Sequence, residues 1–125
     1  MSGLHLRRRP PPGDTGTATL WAVGGIAVLC LLAAAIVTYG AVVQTRHRAT
    51  AAADLAALAG AGYAPYGESA ACGRARWVAA GMRVRITGCR LAGWDVLVEV
   101  SAALPGELTR FGTVREHSRA GPVNP

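Results

Sequence analysis

The most prominent feature of the hydrophobic pattern is an uncharged apolar run from Leu20 to Val43. A helix of about 20 apolar residues crosses the ~30 Å hydrocarbon core of a bilayer. The run is also too long and too evenly apolar for a core helix of a small soluble domain. The sequence therefore predicts a transmembrane helix over residues 20–43, with membrane lipid as a partner.

Helical character continues beyond this run. No Gly or Pro follows Val43 until Gly60, and the segment is rich in Ala and Leu, which favour helix. Four of its apolar residues form a stripe at helical spacing: Ala51, Leu55, Leu58 and Ala59. We therefore predict one long helix over residues 17–60, extending outside the membrane. Because a lone helix of this kind is unstable in water, its outer half should pack on the C-terminal part, a second copy or another subunit.

The next segment predicts a break and a short helix. Three glycines and Pro65 interrupt the chain over residues 60–67. Residues 68–80 then fit a helix that is capped by Glu68 or Ser69 and closed by Gly81.

Two alternating runs follow, as expected for a β-hairpin. Residues 82–90 place Met82, Val84 and Ile86 on one face, and residues 94–102 place Trp94 and three valines on one face, with a turn at residues 91–93. Residues 108–118 alternate more weakly and fit a third strand or a short helix, with the strand favoured. The predicted class is α+β: a long N-terminal helix, a short helix and a small antiparallel sheet of two or three strands.

Composition divides the chain into four predicted parts. Residues 1–16 form a basic, proline-containing head or leader without packed structure. Residues 17–60 form the long helix, and residues 61–120 form a small α+β domain. Residues 121–125 form a tail without packed structure.

The charges beside the apolar run predict its orientation. The run Arg7-Arg8-Arg9 favours retention of the N-terminus in the cytoplasm. Arg46 and Arg48 on the other flank make the difference in charge small. The cysteines point the same way, because a disulfide requires an oxidising compartment. We predict a single-pass cell-membrane protein with a cytoplasmic N-terminus and an extracytoplasmic C-terminal domain.

The three cysteines fit one disulfide and one thiol in the membrane. Pairing Cys72 with Cys89 would join the short helix to the first strand, whereas Cys30 lies in the middle of the apolar run. The alternative is a pair of free buried thiols in a cytosolic domain. Two cysteines without nearby histidines supply too few ligands for a metal site.

The charge of the chain admits anionic partners. All 13 basic residues are arginine, and the net charge is +6 with a pI of about 10.3. Five of them fall close together: Arg74, Arg76, Arg83, Arg85 and Arg90. They form either a solvated face or a basic surface for DNA or an anionic wall polymer. Nucleic acid is the less expected partner, because the few aromatic residues leave little for base stacking.

The sequence has no motif typical of catalysis. It lacks a nucleophile elbow, a phosphate-binding P-loop and a zinc-protease helix motif. A non-enzymatic protein without a cofactor is therefore expected.

The segment RHRATAAADLAALA, residues 46–59, resembles the R-x-R-A-x-A-A-A-D-L-A-A-L-A segment of the TadE-like, pilin-like proteins of actinobacteria. The similarity extends to Cys72, Cys89, the run Gly93-Trp94-Asp95-Val96 and the run Arg119-Ala120-Gly121-Pro122. This resemblance implies a minor pilin or pseudopilin of a Tad-type pilus or secretion apparatus, with other pilin-like subunits as partners. Its assembly helix would carry Arg46, Arg48, Ala53, Asp54, Leu55 and Leu58.

The resemblance also implies a prepilin peptidase as a partner. In the wider family this enzyme cuts after a glycine just before the apolar run, which corresponds here to Gly16 and Thr17. A glutamate usually stands at the fifth position after the cut, where this chain has Trp21. An initiating, tip or accessory subunit and an uncleaved anchor are therefore open alternatives, as is a secreted domain released by signal peptidase after Ala53.

Overall fold

The computed structural model describes Gly3 and residues 14–123. The helices are α1 (Asp14–Ala61) and α2 (Glu68–Gly81), and the strands are β1 (Arg85–Ala92), β2 (Asp95–Ala103) and β3 (Thr113–Ala120). Short 3₁₀ turns lie at Ala64–Tyr66 and Gly106–Phe111. The predicted α+β class is confirmed. Most of the predicted head and the last two residues of the predicted tail lie outside the described residues.

The chain forms two compact units, which divide between Thr38 and Tyr39. In the first unit the side chains of residues 16–38 are all exposed, including Leu20, Trp21 and Ile36. Over the described part of the chain, α1 is the one helix long and apolar enough to cross a membrane. A helix that buries none of its large apolar side chains in protein is suited to a lipid environment.

The second unit is built on a three-stranded antiparallel sheet in the order β1-β2-β3. On the inner face of β2, Val96, Val98 and Val100 are the largest fully buried side chains. The predicted alternation of this strand is confirmed for these valines. It is wrong for Trp94, which is exposed in the turn.

Alanine, and not leucine, forms the face of α1 that packs in this core. Five alanines of α1 are completely buried: Ala49, Ala52, Ala53, Ala56 and Ala57. A Cβ added to Gly60 would lie 3.0 Å from the carbonyl oxygen of Ala71 and 3.1 Å from Cγ1 of Val96. Side chains this small allow the helix backbone to approach α2 and the sheet closely. The stripe that contains Leu55 and Leu58 does not pack on the chain's own sheet, since both leucines are exposed.

The predicted boundaries of the hairpin are wrong by a few residues. The turn is formed by Gly93 and Trp94, with Ala92 and Asp95 paired on either side. Gly93 has φ of +64°, and a positive φ at the first central residue alone is the pattern of a type II′ turn. β1 begins at Arg85 and not at Met82, because the backbone that closes α2 extends to Val84.

A bulge in β1 determines which side of the sheet Cys89 occupies. The pairing register between β1 and β2 shifts between Ile86 and Gly88. Ile86 lies opposite Val100 and Cys89 lies opposite Val98, so both are on the inner face although they are an odd number of residues apart. Strict alternation would have placed Cys89 on the outer face, away from α2.

The remaining predictions differ in detail. The residue that caps α2 is Gly67, without a side-chain hydrogen bond, and not Glu68 or Ser69. The carboxylate of Glu68 instead accepts a hydrogen bond from the backbone N–H of Leu91 at 3.0 Å. The segment predicted as a third strand divides into a 3₁₀ turn and β3, which begins at Thr113.

Candidate assembly surface and arginine cluster

The segment of α1 that resembles the pilin-like family presents two different faces. On one face, Ala53 is buried in the core. The hydroxyl of Ser118 on β3 donates a hydrogen bond to Asp54 Oδ1 at 2.7 Å. Arg46 Nε lies 3.5 Å from Glu116 Oε1, also on β3. Arg46, Ala53 and Asp54 are therefore engaged with the chain's own sheet.

Leu55 and Leu58 lie on the opposite face of α1. We call this surface the leucine face. Leu55 is 49% exposed and Leu58 is 62% exposed. Arg48 is also exposed. Large apolar side chains at helical spacing on an exposed helix are typical of surfaces that bind another protein. The six residues predicted for the assembly helix are thus divided between an internal contact and a free surface.

The predicted disulfide is present between Cys72 on α2 and Cys89 on β1, with the two Cα atoms 5.8 Å apart. It joins the short helix to the sheet beside the core, where Cys72 is buried. Cys30 is a free cysteine in the first unit.

The five arginines predicted as one anion-binding patch lie in three places. Arg76, Arg83 and Arg85 line a shallow depression of about 430 Å³ together with Ala80, Val84 and Ile86. The guanidinium of Arg74 lies elsewhere, over two aromatic rings. Arg90 lines a groove on the outer face of the sheet. The five arginines are close together along the sequence, but α2 and the strands direct their side chains to different surfaces.

The sequence did not indicate the aromatic contacts of Arg74. Its Cζ lies 4.3 Å from the ring centroid of Trp77 and 5.6 Å from that of Tyr63. Both distances are within the range of cation–π interaction. The spacing of Arg74 and Trp77, three residues apart on a helix, is the signal that could have predicted the first contact.

The outer face of the sheet forms a groove of about 570 Å³ that the sequence also did not indicate. Glu99 lies in it with Oε2 3.6 Å from Nδ1 of His117. Arg90 and Arg119 line the same groove. The alternation in β3 that places His117 and Arg119 on one face was visible in the sequence, but the pairing of β3 with β2 was not.

Gly16 and Thr17, which the resemblance predicted as a leader-cleavage site, both lie within α1. Trp21 is 79% exposed in the first unit. In the described residues there is no group of three or more His, Cys, Asp or Glu side chains that could hold a metal ion.

Comparison with known proteins supports the family resemblance. Residues 16–63 match a family model for TadE/G-like proteins of Flp pilus assembly. A relative named "Apoptosis inhibitor Rv3654c", from Mycobacterium tuberculosis (strain ATCC 25618 / H37Rv), is 56% identical over 52 residues. These residues make up 42% of this chain and 62% of the relative, so the match spans less than two thirds of that protein. No solved structure matches significantly. The predicted resemblance is therefore confirmed: residues 16–63 of this chain are similar to the TadE/G-like proteins of Flp pilus assembly.

Proposed function

We propose that the chain is a minor pilin or pseudopilin-like structural component of a Tad-type pilus or secretion apparatus. The observation that carries this proposal is the leucine face, which lies within the TadE/G-like segment and leaves about half or more of each leucine exposed in the described part of the chain. The face of α1 that carries Ala49, Ala52, Ala53, Ala56 and Ala57, which we call the alanine face, already packs in the core. The leucine face is therefore available to the helix of another pilin-like subunit.

We further propose that the first unit anchors the chain in the cell membrane once, with the second unit outside. The apolar composition of α1 supports a membrane span. The three arginines of the head and the disulfide support a cytoplasmic N-terminus. Membrane lipid and other Tad subunits are the partners that follow.

Replacing Leu55 and Leu58 together with alanine should reduce co-purification with Tad subunits at least severalfold. The fold should persist, because neither side chain is buried in the core and alanine favours helix. The measurement is quantitative mass spectrometry of proteins recovered with the tagged full chain from membranes.

Phe111→Ala is the matched control, since Phe111 is an exposed large apolar residue outside α1. Its recovery of partners should equal that of the wild-type chain. Undiminished recovery with the double leucine variant would contradict an assembly role for the leucine face.

We also propose that a prepilin peptidase cuts the chain between Gly16 and Thr17. Sequencing the N-terminus of the mature protein in membranes tests this proposal. A start at Thr17 is the expected result for a processed pilin. A start at Met1 or Ser2 would limit the chain to an uncleaved accessory subunit, and a start at Asp54 would indicate a secreted domain and contradict the anchor.

A second candidate function is a membrane-tethered binding module with a basic surface. The observation that favours it is the depression lined by Arg76, Arg83 and Arg85. This function is compatible with assembly, because the three arginines lie on α2, β1 and the connection between them, whereas the leucine face lies on α1.

A further inference from the structure

The C-terminus of α2 ends in a Schellman motif. The backbone N–H of Val84 donates to the carbonyl of Ala79 at 3.0 Å, and that of Arg83 donates to the carbonyl of Ala80 at 3.0 Å. These two bonds satisfy carbonyls that the helix itself leaves free. The motif requires a left-handed backbone conformation at the position of Arg83.

Arg83 is the one non-glycine residue with positive φ in the described part of the chain, at +59°. Glycine is the residue most often found at this position, because an L side chain there is strained. The chain places glycines at its other left-handed positions, including Gly93 and Gly112. An arginine at a position that favours glycine indicates that the side chain has a function the backbone alone does not require.

Arg83 shares its surroundings with two further arginines. Arg76 and Arg85 line the same depression, and the other residues that line it are Ala80, Val84 and Ile86. No carboxylate lines the depression, and no ion pair joins these three arginines to an acid within the described residues. By contrast, Arg46, Arg110 and Arg119 each lie against a carboxylate. Three arginines that make no ion pair within the described residues thus line one depression at the end of α2.

We propose that Arg76, Arg83 and Arg85 form a binding site for the phosphate group of an anionic ligand. Planar guanidinium groups bind phosphate oxygens through paired hydrogen bonds, and a bound anion would relieve the mutual repulsion of the three cations. No aromatic side chain lines the depression, so it offers no stacking surface for a nucleic acid base. A phosphodiester polymer without bases therefore fits better than DNA.

This inference deepens the second candidate function and does not depend on assembly through the leucine face. Its failure would leave co-purification with Tad subunits unchanged, and loss of assembly in the leucine variant would leave phosphate binding unchanged. The two proposals can therefore fail separately.

The test is a titration of the full chain in zwitterionic phosphatidylcholine nanodiscs with poly(glycerol phosphate), followed by NMR of the arginine side chains. Saturable shifts at Arg76, Arg83 and Arg85 are expected, with an affinity that falls as salt rises. Arg83→Gly should weaken binding about fivefold, the effect of losing one exposed charge contact. It should also raise the thermal midpoint by about 4 °C, because it removes the strain at a left-handed position.

Arg76→Gln is the second variant, and it should weaken binding without a change in backbone strain. Arg115→Gln, an exposed arginine on β3, is the matched control and should bind as the wild-type chain does. Wild-type affinity in Arg83→Gly would overturn the proposal. A lower thermal midpoint in that variant would also overturn it, because it would show that Arg83 merely stabilises the end of the helix.

Two further arms identify the source of the phosphate. Nanodiscs that contain phosphatidylglycerol should compete with the polymer if a lipid headgroup is the ligand, and should leave its affinity unchanged if a soluble polymer is. Binding of single-stranded DNA more tightly than the polymer would contradict the assignment to a ligand without bases.

Discussion

Replacing Cys72 and Cys89 together with alanine is expected to lower the free energy of unfolding of the second unit by about 3 kcal/mol. The disulfide closes a loop that includes most of α2 and half of β1, with a sequence separation of 17 residues. Cross-linking a loop of this length restricts the unfolded chain by about that amount in the chain-entropy view. Alanine is preferred to serine, because a hydroxyl at the buried position of Cys72 would need a partner of its own.

The effect should be large for a unit of this size. Its core contains three large fully buried side chains, Val96, Val98 and Val100, and otherwise consists mainly of alanines. Small domains with limited cores depend on cross-links for much of their stability. Amide hydrogen exchange of β2 in the full chain, held in nanodiscs, measures the free energy of global opening.

Cys30→Ala is the control, because Cys30 is free and lies in the first unit. It should leave the exchange of β2 unchanged. Equal exchange in the double variant and the wild-type chain would show that the disulfide is dispensable for the fold. The same cysteines report on topology, since alkylation in intact cells should find Cys72 and Cys89 oxidised if the second unit lies outside the cytoplasm.

The elements of this fold could be predicted wherever one periodicity dominates a segment. The apolar run of α1 fits only a long helix, and the alternating valines of β2 fit only a half-buried strand, so each pattern permits one interpretation. The second half of α1 permits two, since Leu55 and Leu58 repeat at helical spacing and so do Ala53 and Ala57. Hydrophobicity favours the leucines, but close packing against α2 and the sheet selects the alanines.

The details of the candidate sites depend on backbone features that periodicity does not encode. The bulge after Ile86 reverses which residues of β1 face inward and brings Cys89 to α2. The left-handed conformation of Arg83 moves the start of β1 and determines which arginines share one depression. An arginine at a position that glycine usually fills gives no local signal of the left-handed conformation.

The difference between the two faces of α1 can be tested with one substitution made at two positions. Ala53→Leu should lower the free energy of unfolding of the second unit by about 2 kcal/mol, because Ala53 is completely buried and three added carbons have no space. The larger side chain would also push α1 away from β3, and the hydrogen bond between Ser118 and Asp54 would lengthen or break.

Ala51→Leu is the matched control, since it adds the same atoms to the same helix at an exposed position. Its free energy of unfolding should change by no more than about 0.5 kcal/mol. Chemical denaturation of the full chain in nanodiscs, followed by tryptophan fluorescence, compares the two variants. Equal destabilisation would contradict the alanine face as the internal contact. Ala51→Leu can also be tested for co-purification with Tad subunits. If it loses partners at unchanged stability, the assembly surface extends to position 51, because a larger side chain beside the leucine face would obstruct a neighbouring helix without disturbing the fold.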